Sequence, residues 1–413
     1  RPLLVGDMLV LCTPENRLVA LDAATGEERW RFDPELDMTL PQPYQYNCRG
    51  APALWRDAAA PDGRLCAARL ISQTLDHRLF AVDASSGRPC PDFGDNGEIR
   101  AFDGIPMPHP DQIRLISTPL VVGDVIVLGS AITDNVYTRG PRGTVQGFDA
   151  RTGRRRWTFD PIPNSAEEAD PQDWDPAQAP SIGAANVWTL MTADPALGLV
   201  YLPTSSAAPD HYAPERPGDN RYANSVVALQ AATGEIAWSR QLVHHDLWDY
   251  DLPAQPMLID YPVAGEAVPA LLQNTKQGLV FILDRRDGSP LVPIEERPVP
   301  TDGLPAEQLA PTQPFPVGMP PLAPLGMSED DLWGLTFWDK GACRRRFREL
   351  RAGGVFEPPG REGTIFRPPF VGGAVNWGGA SFDPHSGVMI APVISMPSIV
   401  TLREHPAADA DEA

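Results

Sequence analysis

The run His244-His245-Asp246-Leu247-Trp248-Asp249-Tyr250-Asp251 gathers carboxylates, imidazoles and aromatic rings in a stretch too polar to be a buried strand. An Asp in such a loop is ordinarily a turn or cap residue, and it is also the residue type that serves as a general base. Lys276, in Asn274-Thr275-Lys276-Gln277-Gly278, stands before an apolar run. It is either a solvated surface cation or one placed to stabilise charge developing on an oxygen. Asp134 and Asn135 follow the apolar segment Val125 to Ser130 and carry the hard oxygens that Ca²⁺ or Mg²⁺ prefers, although Asp-Asn is equally a turn signal. Trp188, in Ala184-Ala185-Asn186-Val187-Trp188, is a core ring or a platform for a flat ligand. Arg49, in Asn47-Cys48-Arg49-Gly50, is a surface charge or a fork for a carboxylate.

These candidates lie between copies of a repeat. LVALDAATGEERW places Asp22, Thr25, Gly26 and Trp30 at offsets that return in VQGFDARTGRRRW (Asp149, Thr152, Gly153, Trp157) and VVALQAATGEIAW (Thr233, Gly234, Trp238). Weaker copies are LFAVDASSGRPC, VFILDRRDGSPL and ASFDPHSGVMIA. Each is an alternating apolar run, an Asp-x-x-Thr-Gly turn and a second apolar run, which is a hairpin with Gly where the turn needs positive φ. A further hairpin precedes several copies, as in VGDMLVLCTPENRL, so the unit has four strands. Four-stranded units recurring at long, uneven intervals predict an all-β propeller over 1–402 covering about six blades. Trp30, Trp157 and Trp238 are assigned to packing between neighbouring blades, and function must come from residues outside the repeat frame.

The bulk composition agrees. The 413 residues include 47 Pro and 35 Gly, which suit short strands and many turns rather than helices. A formal charge of −20 repels a phosphate backbone and makes nucleic acid a poor partner. The basic run Arg344-Arg345-Arg346 reads as a solvated surface segment, and residues 403–413 as a disordered acidic tail. No stretch is long and apolar enough to span a membrane, and no signal peptide opens the chain. The start at Arg1 is read as that of a fragment. Five cysteines without metal-finger spacing allow one or two disulfides or none, with an odd number left over in any case.

The repeat, together with HHDLWDYDLPAQP, GLVFILDRRDGSPLVP, SAITDN and CRG, resembles the membrane-bound quinoprotein glucose dehydrogenases, a branch that also holds quinate and shikimate dehydrogenases. The resemblance implies an eight-bladed-type propeller with pyrroloquinoline quinone (PQQ) over its axis, its closing blades expected after Pro397. It implies Asp249 as catalytic base, Lys276 beside the quinone oxygens, and Trp188 as the floor on which PQQ stacks. It makes Arg49, Asn376 and Trp377 further cofactor contacts. Asp134 and Asn135 become ligands of Ca²⁺ or Mg²⁺, and Ser206 a weak extra ligand where relatives carry Gly-Asn or Thr. Gln45 and Tyr46 stand where glucose-type relatives place a His before Cys-Arg-Gly, so they are read as substrate contacts on a pocket that has drifted. His245 is read as a further substrate contact, while the paired histidines, Asp246 and Asp251 are also read as the supporting shell of Asp249. The expected reaction is oxidation of a sugar, D-glucose to gluconolactone, with electrons passed to ubiquinone. The expected location is the periplasmic face of a bacterial inner membrane, anchored through a missing N-terminal segment. Quinate, shikimate or a polyol is the alternative substrate. A propeller scaffold without cofactor is the alternative of another class, and it has no need of Asp249, Lys276, Asp134 and Trp188 together.

Overall fold

A computed structural model describes residues 2–37, 48–61, 63–107, 112–133 and 140–404. Among them, four antiparallel four-stranded sheets follow in chain order. The first is Leu3–Val5, Met8–Cys12, Leu18–Asp22 and Glu28–Phe32; the second is Ala53–Arg56, Ala68–Gln73, Arg78–Asp83 and Glu98–Arg100. The third is Leu120–Val122, Val125–Leu128, Val145–Asp149 and Arg155–Phe159; the fourth is Thr192–Asp194, Leu199–Pro203, Ser225–Gln230 and Ile236–Gln241. Every sheet pairs its strands in sequence order, so each is a meander of the kind a propeller blade uses. A three-stranded sheet, Met257–Val263, Glu266–Asn274 and Val280–Asp284, continues the series, and smaller sheets follow.

The repeat residues do what their spacing predicts. Asp22 Oδ1 accepts the backbone N–H of Ala24 and Thr25 at 3.0 and 2.9 Å, and Asp149 Oδ1 accepts those of Arg151 and Thr152 at 3.1 and 2.7 Å. The turn glycine then serves the neighbouring blade. A Cβ on Gly87 would lie 2.5 Å from the Trp30 ring, on Gly234 2.6 Å from Trp157, and on Gly288 2.4 Å from Trp238. Each tryptophan thus lies flat on the bare backbone of the next unit, and at φ values of +68 to +77° these positions favour glycine twice over. The second blade lacks the tryptophan, and Gly153 of the third packs on Phe93 and Ile99 instead. One copy behaves differently. Asp383 does cap its turn through His385 N–H at 3.0 Å, but it joins Ser381–Asp383 to Val388–Ile390, a two-stranded sheet. Its counterpart is Asp194, between the first two strands of the fourth blade, because an Asp-led turn closes either hairpin equally well.

Two disulfides form, Cys12–Cys48 and Cys66–Cys90, and Cys343 is free and exposed. The first closes 36 residues of sequence and fixes the residue next to Arg49 to the end of a first-blade strand. Closing loops of this size typically stabilises by about 2–4 kcal/mol. Changing Cys12 and Cys48 together to Ser should therefore lower the stability read from a denaturant melt by about that amount, and equality with the parent would contradict it.

The sole α-helix among the described residues, Phe337–Phe347, starts at a capping box between Thr336 and Asp339 and carries Arg344, Arg345 and Arg346 in its last turn, where cations suit the helix dipole. None of its residues is buried, so the basic run is surface as expected. No helix of the described residues is long and apolar enough to cross a membrane. Residues 405–413 of the acidic tail lie outside the described residues.

Candidate active site

The 244–251 run is a loop after the fourth blade, and its side chains sort by direction. Trp248 and Tyr250 turn into an apolar cluster with Val355, Phe356, Phe366 and Phe370, where Trp248 Nε1 donates to the Glu357 carbonyl and the Tyr250 hydroxyl to the Val355 carbonyl, both at 2.8 Å. The carboxylates of Asp246, Asp249 and Asp251 make polar contacts instead. Asp246 accepts the backbone N–H of Trp248 at 2.9 Å and of Tyr250 at 2.6 Å, which winds the turn around its own side chain. Asn224 Nδ2 at 2.8 Å and the Ser206 hydroxyl also donate to Asp246. Burial nonetheless pushes the Asp246 carboxyl above the usual carboxylate range.

Asp249 is 3% exposed and adopts φ +57°, an uncommon conformation for a non-glycine residue that persists where surroundings over-determine it. Lys276 supplies that determination. Its ammonium lies 3.0 Å from Asp249 Oδ1, 2.6 Å from the Asp249 carbonyl and 3.3 Å from Asp251 Oδ2. Burial opposes charge on Lys276, but the Asp249 and Asp251 carboxylates outweigh it and hold the ammonium above its ordinary range. The site therefore keeps a buried cation against a carboxylate at neutral pH.

Asp251 carries the network onward. Its Oδ1 accepts Ser206 N–H at 2.7 Å and its Oδ2 accepts Trp188 Nε1–H at 3.0 Å. The Arg49 guanidinium sits 5.0 Å from the centroid of the Trp188 ring and 5.0 Å from that of Trp377, stacked against both. Burial pulls Arg49 down to about 10, so an anion beside it would be stabilised. Asn376 donates its amide to the Gly372 carbonyl at 2.8 Å and accepts Trp377 N–H at 2.7 Å, which orients Trp377. Gly373 of the same loop packs on Lys276, where a Cβ would approach within 2.5 Å.

Arg49, Trp188, Ser206, Asp249, Lys276, Asn376 and Trp377 thus belong to one set of touching residues, although they come from separate parts of the chain. Asp134, Asn135, Gln45 and Tyr46 lie outside the described residues. Two roles change. His245 has both ring nitrogens engaged, Nδ1 with the Gly218 carbonyl at 3.0 Å and Nε2 with Glu307 at 2.9 Å, so its imidazole holds the loop and has no face for a substrate. The Ser206 hydroxyl donates to Asp246 and accepts from Asn224 at 3.1 Å, so its first task is to support that carboxylate. Sequence reading missed Arg216, which is fully buried and donates to the Asp246 carbonyl, and His211, whose ring burial holds neutral at about 4. Neither stands in a repeat or a distinctive run, and only the folded loop brings them near.

A flat anionic cofactor fits what is present. The indole platform, the buried Lys276 ammonium and the half-buried Arg49 guanidinium suit a planar ring bearing carboxylates. The amide groups of Asn274 and Gln277, close to Lys276 in sequence, are buried with no hydrogen-bond partner, an unfavourable state that a polar ligand would relieve.

The family model described as glucose/ethanol/alcohol dehydrogenase, β-propeller domain (PQQ), matches residues 1–413. The quinoprotein glucose dehydrogenase of Escherichia coli (strain K12) is 39% identical over 407 residues, covering 97% of this chain and 50% of the relative. The glycerol dehydrogenase large subunit of Gluconobacter oxydans (strain 621H) is 38% identical over 393 residues, 94% of this chain and 52% of the relative. The probable quinate dehydrogenase (quinone) of Xanthomonas campestris pv. juglandis is 39% identical over 415 residues, 94% and 50% of the two chains. The chain spans about half the length of the curated relatives it matches. Among solved structures, the quinohemoprotein alcohol dehydrogenase of Comamonas testosteroni aligns with a TM-score of 0.69 at 23% identity, over 97% of this chain and 52% of that one, a likeness of fold.

Proposed function

The chain belongs to the PQQ family of glucose, ethanol and alcohol dehydrogenase β-propeller domains, and from that premise we propose that it oxidises a sugar hydroxyl, D-glucose to gluconolactone, with PQQ as the bound oxidant. The observation that carries the reading is the buried Asp249–Lys276 contact at 3.0 Å beside the Arg49, Trp188 and Trp377 stack. A scaffold has no use for a charged pair at this depth, because burying it costs several kcal/mol per ion unless geometry compensates.

When bound, PQQ supplies the quinone that accepts the electrons of the alcohol, and a divalent ion, Ca²⁺ or Mg²⁺, would supply Lewis-acid polarisation. Asp134 and Asn135 would hold that ion through hard oxygens. Asp249, held 3.0 Å from the Lys276 ammonium, would accept the substrate hydroxyl proton. Lys276 would stabilise negative charge on the oxygen that receives the electrons. Arg49 would clamp a cofactor carboxylate, and Trp188 and Trp377, whose rings each contact its guanidinium, would offer indole faces to a flat ligand. Electrons would leave for ubiquinone, with the protein at the periplasmic face of the inner membrane.

A polyol, quinate or shikimate is the second reading for substrate, favoured by relatives named for glycerol and quinate that are as similar as the one named for glucose. Reconstitution of the whole protein with PQQ and Ca²⁺ or Mg²⁺, followed by dye reduction over glucose, other aldoses, glycerol, quinate and shikimate, decides between them. Glucose should give the highest kcat/KM. A clear preference for glycerol or quinate would replace the sugar assignment, and no turnover with any alcohol would end the dehydrogenase reading.

A further inference from the structure

The turn that carries Asp249 is also held from a side that takes no part in the chemistry. Glu307 lies between strands Ile294–Pro298 and Thr312–Pro316, and its side chain and that of His245 are each 1% exposed. Glu307 Oε1 is 2.9 Å from His245 Nε2, and its Oε2 accepts Ala213 N–H at 2.8 Å. His245 Nδ1 faces the Gly218 carbonyl at 3.0 Å, and a carbonyl only accepts, so Nδ1 carries a proton. Nε2 meets a carboxyl oxygen at hydrogen-bond distance, and that contact needs a proton of its own, on the ring or on the carboxyl. The imidazole is thus held from both of its nitrogens. His245 itself sits at φ +42° with its backbone N–H on the Asp219 carbonyl at 3.1 Å, and the next residue is Asp246, around which the catalytic turn winds. A non-glycine residue keeps such a conformation only while its surroundings enforce it.

Resting on the dehydrogenase reading above, we propose that Glu307, acting through His245, is a positioning residue for Asp249. Three segments meet in it: the 304–307 connection, the 212–219 loop and the 245–251 turn. Glu307→Gln keeps every contact, because the amide oxygen can accept from Ala213 N–H while the amide NH₂ donates to Nε2 of a ring whose Nδ1–H faces Gly218. Glu307→Ala keeps none of them.

The test uses the whole protein loaded with PQQ and Ca²⁺ or Mg²⁺, assayed on D-glucose or on the alcohol the screen selects. Glu307→Ala should lower kcat on the order of 10²-fold, the usual result of a small misplacement of a reacting group, with KM and the absorbance of bound PQQ unchanged. Glu307→Gln should restore kcat. Hydrogen exchange supplies a readout apart from activity: the peptide over 244–251 should exchange faster in the Ala variant alone, with blade strands alike in all three proteins. Parent-like kcat and exchange in Glu307→Ala overturns the proposal, as does a Gln variant as impaired as Ala. If Glu307→Ala does not fold, Glu307→Asp, one methylene short of Nε2, should show the same changes in smaller measure, and parent behaviour there is equally fatal. If the parent itself turns over no alcohol, the dehydrogenase reading fails and the exchange comparison alone decides on Glu307.

Discussion

Asp249→Asn should hold PQQ as the parent does and turn over about 10²–10⁴-fold more slowly, the range in which a general base contributes. The substitution keeps the size of the side chain and leaves the Asp249 carbonyl, 2.6 Å from the Lys276 ammonium, untouched. Lys276 also keeps Asp251 at 3.3 Å as a counter-ion. What disappears is the carboxylate that can take a proton from the substrate hydroxyl. Trp188, which would seat the cofactor together with Arg49 and Trp377, is tied to Asp251, and Asp251 to Lys276, and none of these side chains changes. Rate and occupancy should therefore separate. Dye reduction and the absorbance of bound PQQ, measured on one preparation, check this. An Asn variant that is full of PQQ and oxidises substrate near the parent rate would remove Asp249 from the role of base.

Much of this arrangement is legible in the sequence because it is carried by short runs. The Asp-x-x-Thr-Gly turns declare themselves by local chemistry, and the flat seating of Trp30, Trp157 and Trp238 on the glycines of following units accounts for both residue types at once. The same locality limits the reading. Asp383 caps a turn like the others, and nothing inside the turn tells which hairpin of a blade it closes. Periodicity also fails in the Pro-rich 298–335 stretch, where Glu307 has no pattern to mark it. Its partner His245 is 62 residues away, and the contact exists only once three loops have met. The run around His245 fits a substrate contact and a support for Asp249 equally well. The structure gives its ring to Gly218 and Glu307, because a residue beside a catalytic turn can as easily face the scaffold as the pocket.

Lys276→Met should be the most damaging single change, and in two separable ways. The ammonium is 3% exposed and stands between two carboxylates at 3.0 and 3.3 Å, so a methionine of similar length removes the cation and leaves both charges buried without it. Removing one partner of a buried pair typically costs about 3–5 kcal/mol, whereas replacing the partners together can be nearly neutral. Chemical denaturation should accordingly show a lower midpoint for Lys276→Met at unchanged slope, with Lys276→Met/Asp249→Asn regaining part of the loss. The second effect is on the reaction. If the cation stabilises charge on the quinone oxygen, its loss should reduce turnover by about 10²–10³-fold and alter the spectrum of bound PQQ, which Asp249→Asn should not. Lys276 would then be distinguished from Asp249 by the spectrum and from a purely structural residue by the rate. A Lys276→Met protein with parent stability would mean that the buried carboxylates find another partner, and one with the parent spectrum and rate would place the cofactor's reactive oxygens away from this ammonium.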